Sequence, residues 1–474
     1  LNNCELRIVH CASKTPADGL PMPRRLWAIL AVAFGVSLSV IDATISNVAL
    51  PTIALQLGVT EADSIWVINA YQLATVAALL AFSALADVIG YRRVYIGGLT
   101  LFTLASLGCA LSQSLPMLVL ARAVQGLGAS AVASINTTLI RIIYPRQQLG
   151  RGLGINATVV AVSSVVGPTL ASAILSAAPW PWLFAVNLPV GAAAIAQSWF
   201  FLPANPVRNP NRRFDWRAAA LNGFTFCLLI GSIEGYSHGL DAKWAAAGLL
   251  LLLVVGRTFV RSQLKQKNPI LPFDLLRIPI FSLSVLTSVT SFLAQMAAMV
   301  ALPFYLQHVL GYTDVRTGLL MSAWPAVIMV VAPLAGLLVE RLHAGLLGGI
   351  GLLVMATGLF SLLLLPDSPD DFDLIVRLAV AGIGFGLFQS PNNSILIASA
   401  PPERSGSASG MLASARLLGQ TSGAALVAAL FRLYEPATGC HITLGIAAAL
   451  ALFGSLVSFS RLSLPLPEPL RRKG

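Results

Sequence analysis

Asp42, Arg122 and Arg416 lie deep inside long apolar stretches of this 474-residue sequence. A carboxylate in such surroundings costs several kcal/mol to keep ionised, so it either pairs with a cation or takes up a proton. Apolar surroundings favour its neutral form and a nearby guanidinium favours the carboxylate. Exposure that changes between two conformations therefore loads and unloads a proton. Asp42 is read as that proton carrier. Arg122 stands about seven residues into its own stretch, about 10 Å along it by helical rise. If the first stretch runs outward and the fourth inward, Asp42 and Arg122 fall at similar depth and are expected to communicate, directly or through water or Gln125.

The elements that position these residues follow from composition. With 56% hydrophobic and only 10% charged residues, the chain lies far from soluble globular proteins, which carry about 25% charged residues. Stretches of roughly twenty apolar residues recur, each long enough for a hydrocarbon core of about 30 Å. The fourteen windows are 27 to 49, 65 to 86, 94 to 113, 116 to 140, 152 to 177, 182 to 202, 216 to 236, 242 to 260, 280 to 304, 317 to 339, 343 to 365, 374 to 399, 405 to 431 and 441 to 460. The fold class expected is an all-α polytopic membrane protein lying in the lipid bilayer. The net charge of +11 resides in short loops, which argues against nucleic acid as a partner. On one side of the membrane fall 24 of the 30 Lys and Arg residues and 4 on the other, Arg122 and Arg416 being within spans. By the positive-inside rule both termini are expected in the cytoplasm. Cys4, Cys11, Cys109, Cys227 and Cys440 form neither a CxxC nor an even external set, so no metal or disulfide framework is expected. Residues 1 to 20 lack a signal peptide's apolar run.

The chain also repeats itself. Ala49-Leu50-Pro51 recurs as Ala301-Leu302-Pro303, Leu85 to Asp87 as Leu338 to Glu340, Gly126 and Gly128 as Gly382 and Gly384, Asn136 as Asn392, and Gly167 as Gly423. Repeated halves are common in transporter folds. The organisation expected is a tail over 1–23, a six-helix bundle over 24–202, linkers and two inserted helices over 203–278, a second bundle over 279–462 and a tail over 463–474. Asp42 faces Ala294 and Arg416 faces Val160 under these offsets. A symmetric scaffold needs neither charge, which marks both as candidates for function.

Several segments resemble a known family. Val40 to Pro51 is similar to the first-helix signature of the fourteen-helix drug:proton antiporters of the major facilitator superfamily, and Arg122, Gln125, Gly126 and Gly128 resemble its fourth-helix motif. Ser83 to Arg93 is similar to its loop signature, with Ser83, Val88 and Tyr91 replacing the usual residues. Gly167-Pro168 sits where the antiporter motif belongs, with Ser163, Ala171 and Ser172 in place of glycines. Trp180 to Gly191 also resembles the fourteen-helix branch. The resemblance implies two pseudo-symmetric six-helix bundles and proton-coupled export of hydrophobic or cationic compounds across a bacterial inner membrane. It implies a monomer with no cofactor, protons being the coupling ion.

For gating, the resemblance implies a latch of Asp87, Gly90, Arg92 and Arg93 with a mirror copy at Glu340, and glycines such as Gly167 beside Pro168 suggest pivots. Plain packing and an ordinary basic loop explain these features nearly as well. Polar and aromatic groups available to a substrate path are Trp66, Asn69, Tyr71, Gln72, Gln125, Asn136, Gln295, Gln389, Asn392 and Arg416, with Glu234 near the outer surface. Aromatic faces hold lipophilic cations, whereas Arg122 and Arg416 repel a cation or hold an anion. A specific metabolite or organic anion is therefore the alternative substrate. A membrane enzyme is disfavoured because the spans contain no His pair and no strand-borne glycine loop, and a sensor because no loop is long enough for a soluble domain.

Overall fold

A computed structural model describes residues 19–145, 148–203, 216–237, 242–264, 273–339, 342–366, 368–400 and 405–464. The regular elements among them are helical, as lipid requires of a segment that must satisfy its own backbone polar groups. A first bundle comprises α1 (Arg24–Leu57), α2 (Glu61–Ser64), α3 (Trp66–Ile89), α4 (Tyr91–Ala110), α5 (Leu115–Ile143), α6 (Leu149–Ala177), α7 (Pro181–Ala185) and α8 (Asn187–Phe201). After α9 (Trp216–Ser237) and α10 (Ala242–Leu264) comes a second: α11 (Pro279–Phe304), α12 (Asp314–Met321), α13 (Ala323–Leu338), α14 (Ala344–Leu363), α15 (Asp371–Ala398), α16 (Ser405–Leu433) and α17 (Pro436–Ser460).

Ten helices among the described residues are long and apolar enough to cross a membrane, against the fourteen windows expected. The other four windows are occupied by α9, α10, α15 and α16, of 22, 23, 28 and 29 residues. α15 begins with Asp371, Asp373 and Arg377 and carries Asn392 and Asn393, and α16 carries Arg416, Gln420 and several serines. Leu104, Leu120, Phe200, Leu253, Leu337 and Leu456 are exposed on the helix surfaces. Apolar surface this widespread suits lipid rather than water.

One core cluster is built from first-bundle residues such as Tyr95, Phe102, Ile135 and Ile140, and another from second-bundle residues such as Trp324, Met355, Phe385 and Phe388. The sequence repeat is written into their packing. A Cβ on Gly126 would strike the Tyr71 carbonyl of α3; one on Gly382 would lie 2.8 Å from the Trp324 carbonyl of α13. Gly128 presses on Phe102 and Gly98 of α4, and Gly384 on Met355 and Gly351 of α14. Trp324, Gly351 and Met355 each stand 253 positions after Tyr71, Gly98 and Phe102. The turns repeat as well: Gly58 and Gly311 take φ of 62° and 66°, and two residues later Thr60 and Thr313 cap α2 and α12 by accepting from the Asp63 and Arg316 amides. Left-handed backbone suits glycine, and threonine oxygens satisfy open helix N-termini.

Basic residues such as Arg24, Arg92, Arg93, Arg141 and Arg277 gather at one face of the helix array. At the opposite face the bundles are locked together. The Thr52 hydroxyl of α1 donates to Asp314 Oδ1 at the start of α12 (2.7 Å), and His308, just past α11, pairs with Glu61 at the start of α2 (3.3 Å). Each bundle thus offers the acid beginning its second span to the first span of the other. Gln307 donates to the Val48 carbonyl and the Ser172 hydroxyl to the Asp314 carbonyl, above an apolar layer that joins Ile45, Leu50 and Ile53 to Val300, Phe304 and Phe431. Toward the basic face α6 is uncovered: Ala157, Thr158, Val162 and Val166 are exposed, and space is open beside Gly154.

A branched side chain at Gly128 or Gly384 meets backbone rather than a yielding side chain, so Gly128→Val and Gly384→Val are expected to destabilise the protein by at least about 1–3 kcal/mol. Thermal melts in detergent should show both losses, with Gly154→Ala unchanged. A Gly128→Val melt equal to the native one would contradict the packing described.

Candidate functional site

Helix α1 buries Asp42 and α5 buries Arg122, each 1% exposed. Their side chains meet, with the Arg122 Nη1 donating to Asp42 Oδ2 at 2.5 Å. Gln125, one turn along α5 from Arg122, donates from Nε2 to Asp42 Oδ1 (2.9 Å) and to the Ser106 hydroxyl of α4 (2.8 Å), while its Oε1 accepts from Arg122 Nη1 (2.6 Å). Asn187, the first residue of α8, donates to Asp42 Oδ1 at 2.7 Å. The Arg122 Nε donates to the Val67 carbonyl of α3 (3.0 Å), and the guanidinium lies 4.3 Å from the Tyr71 ring centroid and 5.4 Å from that of Phe184.

Three N–H donors converge on Asp42. A carboxylate, which only accepts, satisfies all three; a carboxylic acid would set its own proton against one of them. The donor arrangement therefore fits a paired carboxylate. Asn187 belongs to the segment Trp180 to Gly191 but did not stand out as a site residue. Its signal was an amide inside an apolar window, and only the fold brings the start of the sixth window against the first.

The other expected positions divide by place. Tyr71 lies beneath Arg122. Gln72, 8% exposed, crosses to the second bundle with Nε2 3.7 Å from the Met296 sulfur, leaving its Oε1 without a partner. Asn69 is fully buried and Trp66 half-buried at the head of α3. Asn136 donates to Asn156 of α6 at 3.0 Å, fourteen residues and about 21 Å along α5 from Arg122. Gln295 and Gln389 are half-buried. Arg416 is exposed in the middle of α16, 5.9 Å from the Phe292 ring centroid.

Asn392 lies elsewhere, in a polar knot around Arg461. That arginine, which the charge distribution places among the loop cations, is instead wholly buried at the end of the second bundle. It donates to Asn392 Oδ1 (2.7 Å) and to the hydroxyls of Ser284 (2.9 Å) and Ser458 (2.5 Å), and Asn392 donates to Ser288 Oγ (2.8 Å). Burial first, and then the Arg461 charge, hold the nearby His343 imidazole below its usual range. That suits its Nδ1, which accepts the Gly345 amide to cap α14.

Among the gating residues, Asp87 accepts from the Tyr91 hydroxyl (2.6 Å), Gly90 breaks α3 from α4 with φ 112°, Arg92 donates to the Trp199 carbonyl and Arg93 is exposed. Gly167 abuts Thr44 of α1, and a Cβ on Gly318 would lie 2.6 Å from the Pro168 carbonyl, so α1, α6 and α12 meet there. Glu340 and the Glu234 side chain lie outside the described residues.

Apolar helices arranged as two repeated bundles around a buried ion pair define a multi-pass membrane transporter. The chain belongs to the Major Facilitator Superfamily, whose family model matches residues 32–424. It is 56% identical over 452 residues to the uncharacterized transporter YebQ of Escherichia coli K12, covering 95% of this chain and 99% of that one. It is 30% identical over 420 residues to the multidrug resistance protein Stp of Mycobacterium tuberculosis, covering 87% and 77%. In fold it is similar to a crystallised peptide transporter POT in complex with sulfate, with a TM-score of 0.71 at 14% identity over 92% of this chain and 94% of that one. Its family and relatives are transporters, not enzymes.

Removing one member of a buried pair strands the other charge, at a cost of about 3–5 kcal/mol. Arg122→Gln is therefore expected to lose stability that Asp42→Asn/Arg122→Gln largely recovers. A double-mutant cycle on thermal or denaturant melts in detergent reads the coupling, and additive losses would show that the two side chains do not form the pair described.

Proposed function

We propose that this protein is a proton-coupled exporter of hydrophobic small molecules, working as a monomer without cofactor in a bacterial inner membrane, with both termini in the cytoplasm. The observation that carries this reading is the fully buried Asp42–Arg122 pair bridging α1 and α5. Opposite charges held out of water in a transporter fold are a store of bistability: paired they are neutral, and separated they must be hydrated or titrated.

In the state described, the face opposite the basic one is closed and α6 is uncovered toward the basic face. Substrate enters from the basic, cytoplasmic side. Reorientation breaks the Thr52–Asp314 and Glu61–His308 contacts and draws α1 and α5 apart. A proton from the outer water then binds the Asp42 carboxylate, the substrate leaves, and on return Arg122 re-forms the pair as the proton passes to the cytoplasm. One charge crossing 100 mV supplies about 2.3 kcal/mol to the cycle. The resistance relative supports export as the direction. Helix α9, whose Asn222 donates to the Ala77 carbonyl of α3 (3.0 Å), braces the first bundle from outside.

Cationic compounds fit this interior less well than the family resemblance implies, because Asp42 is already neutralised by Arg122. The exposed Arg416 favours the second reading, a metabolite or organic anion.

The test is transport by purified protein in proteoliposomes under an imposed pH gradient, using neutral, cationic and anionic fluorescent compounds and Asp42→Asn at matched insertion. Gradient-dependent movement of at least one compound in the native protein, abolished in Asp42→Asn, is expected. Movement indifferent to the gradient, or unaltered in Asp42→Asn, would sink the coupling assignment.

A further inference from the structure

Arg416 is the deep-lying cation among the described residues that the fold leaves with neither a counter-charge nor a polar enclosure. Arg122 has Asp42, and Arg461 is enclosed by hydroxyls and an amide. The described carboxylates other than Asp42 stand near the ends of the helices: Glu61, Asp63, Asp314, Asp370, Asp371, Asp373 and Glu435 at the face opposite the basic one, Asp87 and Asp274 at the basic face. Arg416 nevertheless keeps exposed surface halfway along α16.

That surface does not face lipid. A guanidinium turned to hydrocarbon is costly and such residues face the protein interior or a water-filled space. Arg416 lies over the ring of Phe292, itself 3% exposed, and within electrostatic reach of the buried Tyr71. Its open side therefore looks into the space between the bundles, at the seam of α3, α11 and α16. Gly419 and Gly423 let α16 close on α11 at Phe292 and Met296. Across the seam, Gln72 reaches Met296 and presents a buried amide oxygen with no partner.

We propose that this seam is the substrate site and that it takes an aromatic organic anion, whose carboxylate or sulfonate is held by Arg416 and whose N–H or O–H donor meets Gln72. The proposal rests on the transporter reading above and deepens it by naming the substrate class. A guanidinium free on its edges offers paired donors that match a planar oxyanion. The Phe292 and Tyr71 rings and the Met296 thioether suit a flat, polarisable body. A buried acceptor without a partner costs free energy that a donor on the ligand recovers. Tyr71 gives the site its link to the proton: the ring that carries Arg122 on its face also lies within electrostatic reach of Arg416, across the contact of α3 with α16. A negative charge arriving at Arg416 alters the field at the Asp42–Arg122 pair, so loading of substrate and release of the pair are coupled through one residue.

The experiment is equilibrium binding to purified full-length protein in detergent, read by tryptophan quenching or dye anisotropy, with carboxyfluorescein and 2-naphthoate as anionic probes and ethidium as the cationic control. The native protein should bind at least one anion more tightly than ethidium. Arg416→Gln should weaken that binding about tenfold or more, Arg416→Lys should restore part of it, and Gln72→Leu should weaken a hydroxylated naphthoate more than the unsubstituted acid. Unaltered anion affinity in an Arg416→Gln protein that melts like the native one, or a native protein that binds neither anion, overturns the proposal. Because binding is read without a gradient, the outcome is independent of proton coupling. Gradient-driven transport of a neutral dye by a protein that binds no anion would leave the exporter standing and remove only the anion site.

Discussion

Ionised groups are costly inside a bilayer, and this chain places a carboxylate and a guanidinium there together. The Asp42–Arg122 pair is tolerable only because five helices attend to it: α1 and α5 supply the charges, α3 a carbonyl and an aromatic face, α4 a hydroxyl through Gln125, and α8 the amide of Asn187. Desolvation of such a pair can exceed its Coulombic gain unless the remaining donors and acceptors are also satisfied. The first bundle is thus organised around satisfying them. The same fact underlies the switch proposed for the pair, since any motion that parts α1 from α5 would leave two naked charges that water or a proton must settle.

The two halves share a scaffold and differ in what they do with charge. Equivalent glycines press equivalent helices together in both, and equivalent Gly-x-Thr turns start the second span of each. In the second bundle the buried cation is Arg461, held by neutral groups that do not titrate in the physiological range, which suits a rigid body. In the first it is Arg122, held by the carboxylate of Asp42. Closure of the face opposite the basic one is reciprocal, with Glu61 and Asp314 each crossing to the other bundle. Polar contacts at a water-facing rim are cheap to break, as an alternating structure needs.

Much of this was legible in the residues. Apolar runs of spanning length dictate helices in lipid, and counting residues from the ends of two antiparallel runs places Asp42 and Arg122 at one depth, where the structure joins them at 2.5 Å. The pairing of Gly126 and Gly128 with Gly382 and Gly384 followed from a constant offset. What was not legible depends on which face of a helix turns inward. Asn187 reads as one amide in an aromatic-rich segment until α8 packs on α1. Arg461 reads as a loop cation until α17 ends against Ser284 and Asn392. Asn136 and Asn392 share a repeat position, yet one bonds to Asn156 and the other to the Arg461 knot. All fourteen apolar windows are helical, and ten of the helices among the described residues are long and apolar enough to span on their own composition.

The central claim is that Asp42 exchanges its partner for a proton as substrate is handled. It is tested most directly by recording the carboxyl-stretch region in infrared difference spectra of the native protein and Asp42→Asn, with and without a transported compound, across a pH series. The account predicts a protonated-carboxyl band that grows and shrinks with substrate in the native protein and is missing in Asp42→Asn. The same substrate-linked band persisting in Asp42→Asn, or a native protein whose carboxyl region never responds to substrate at any pH, would contradict it.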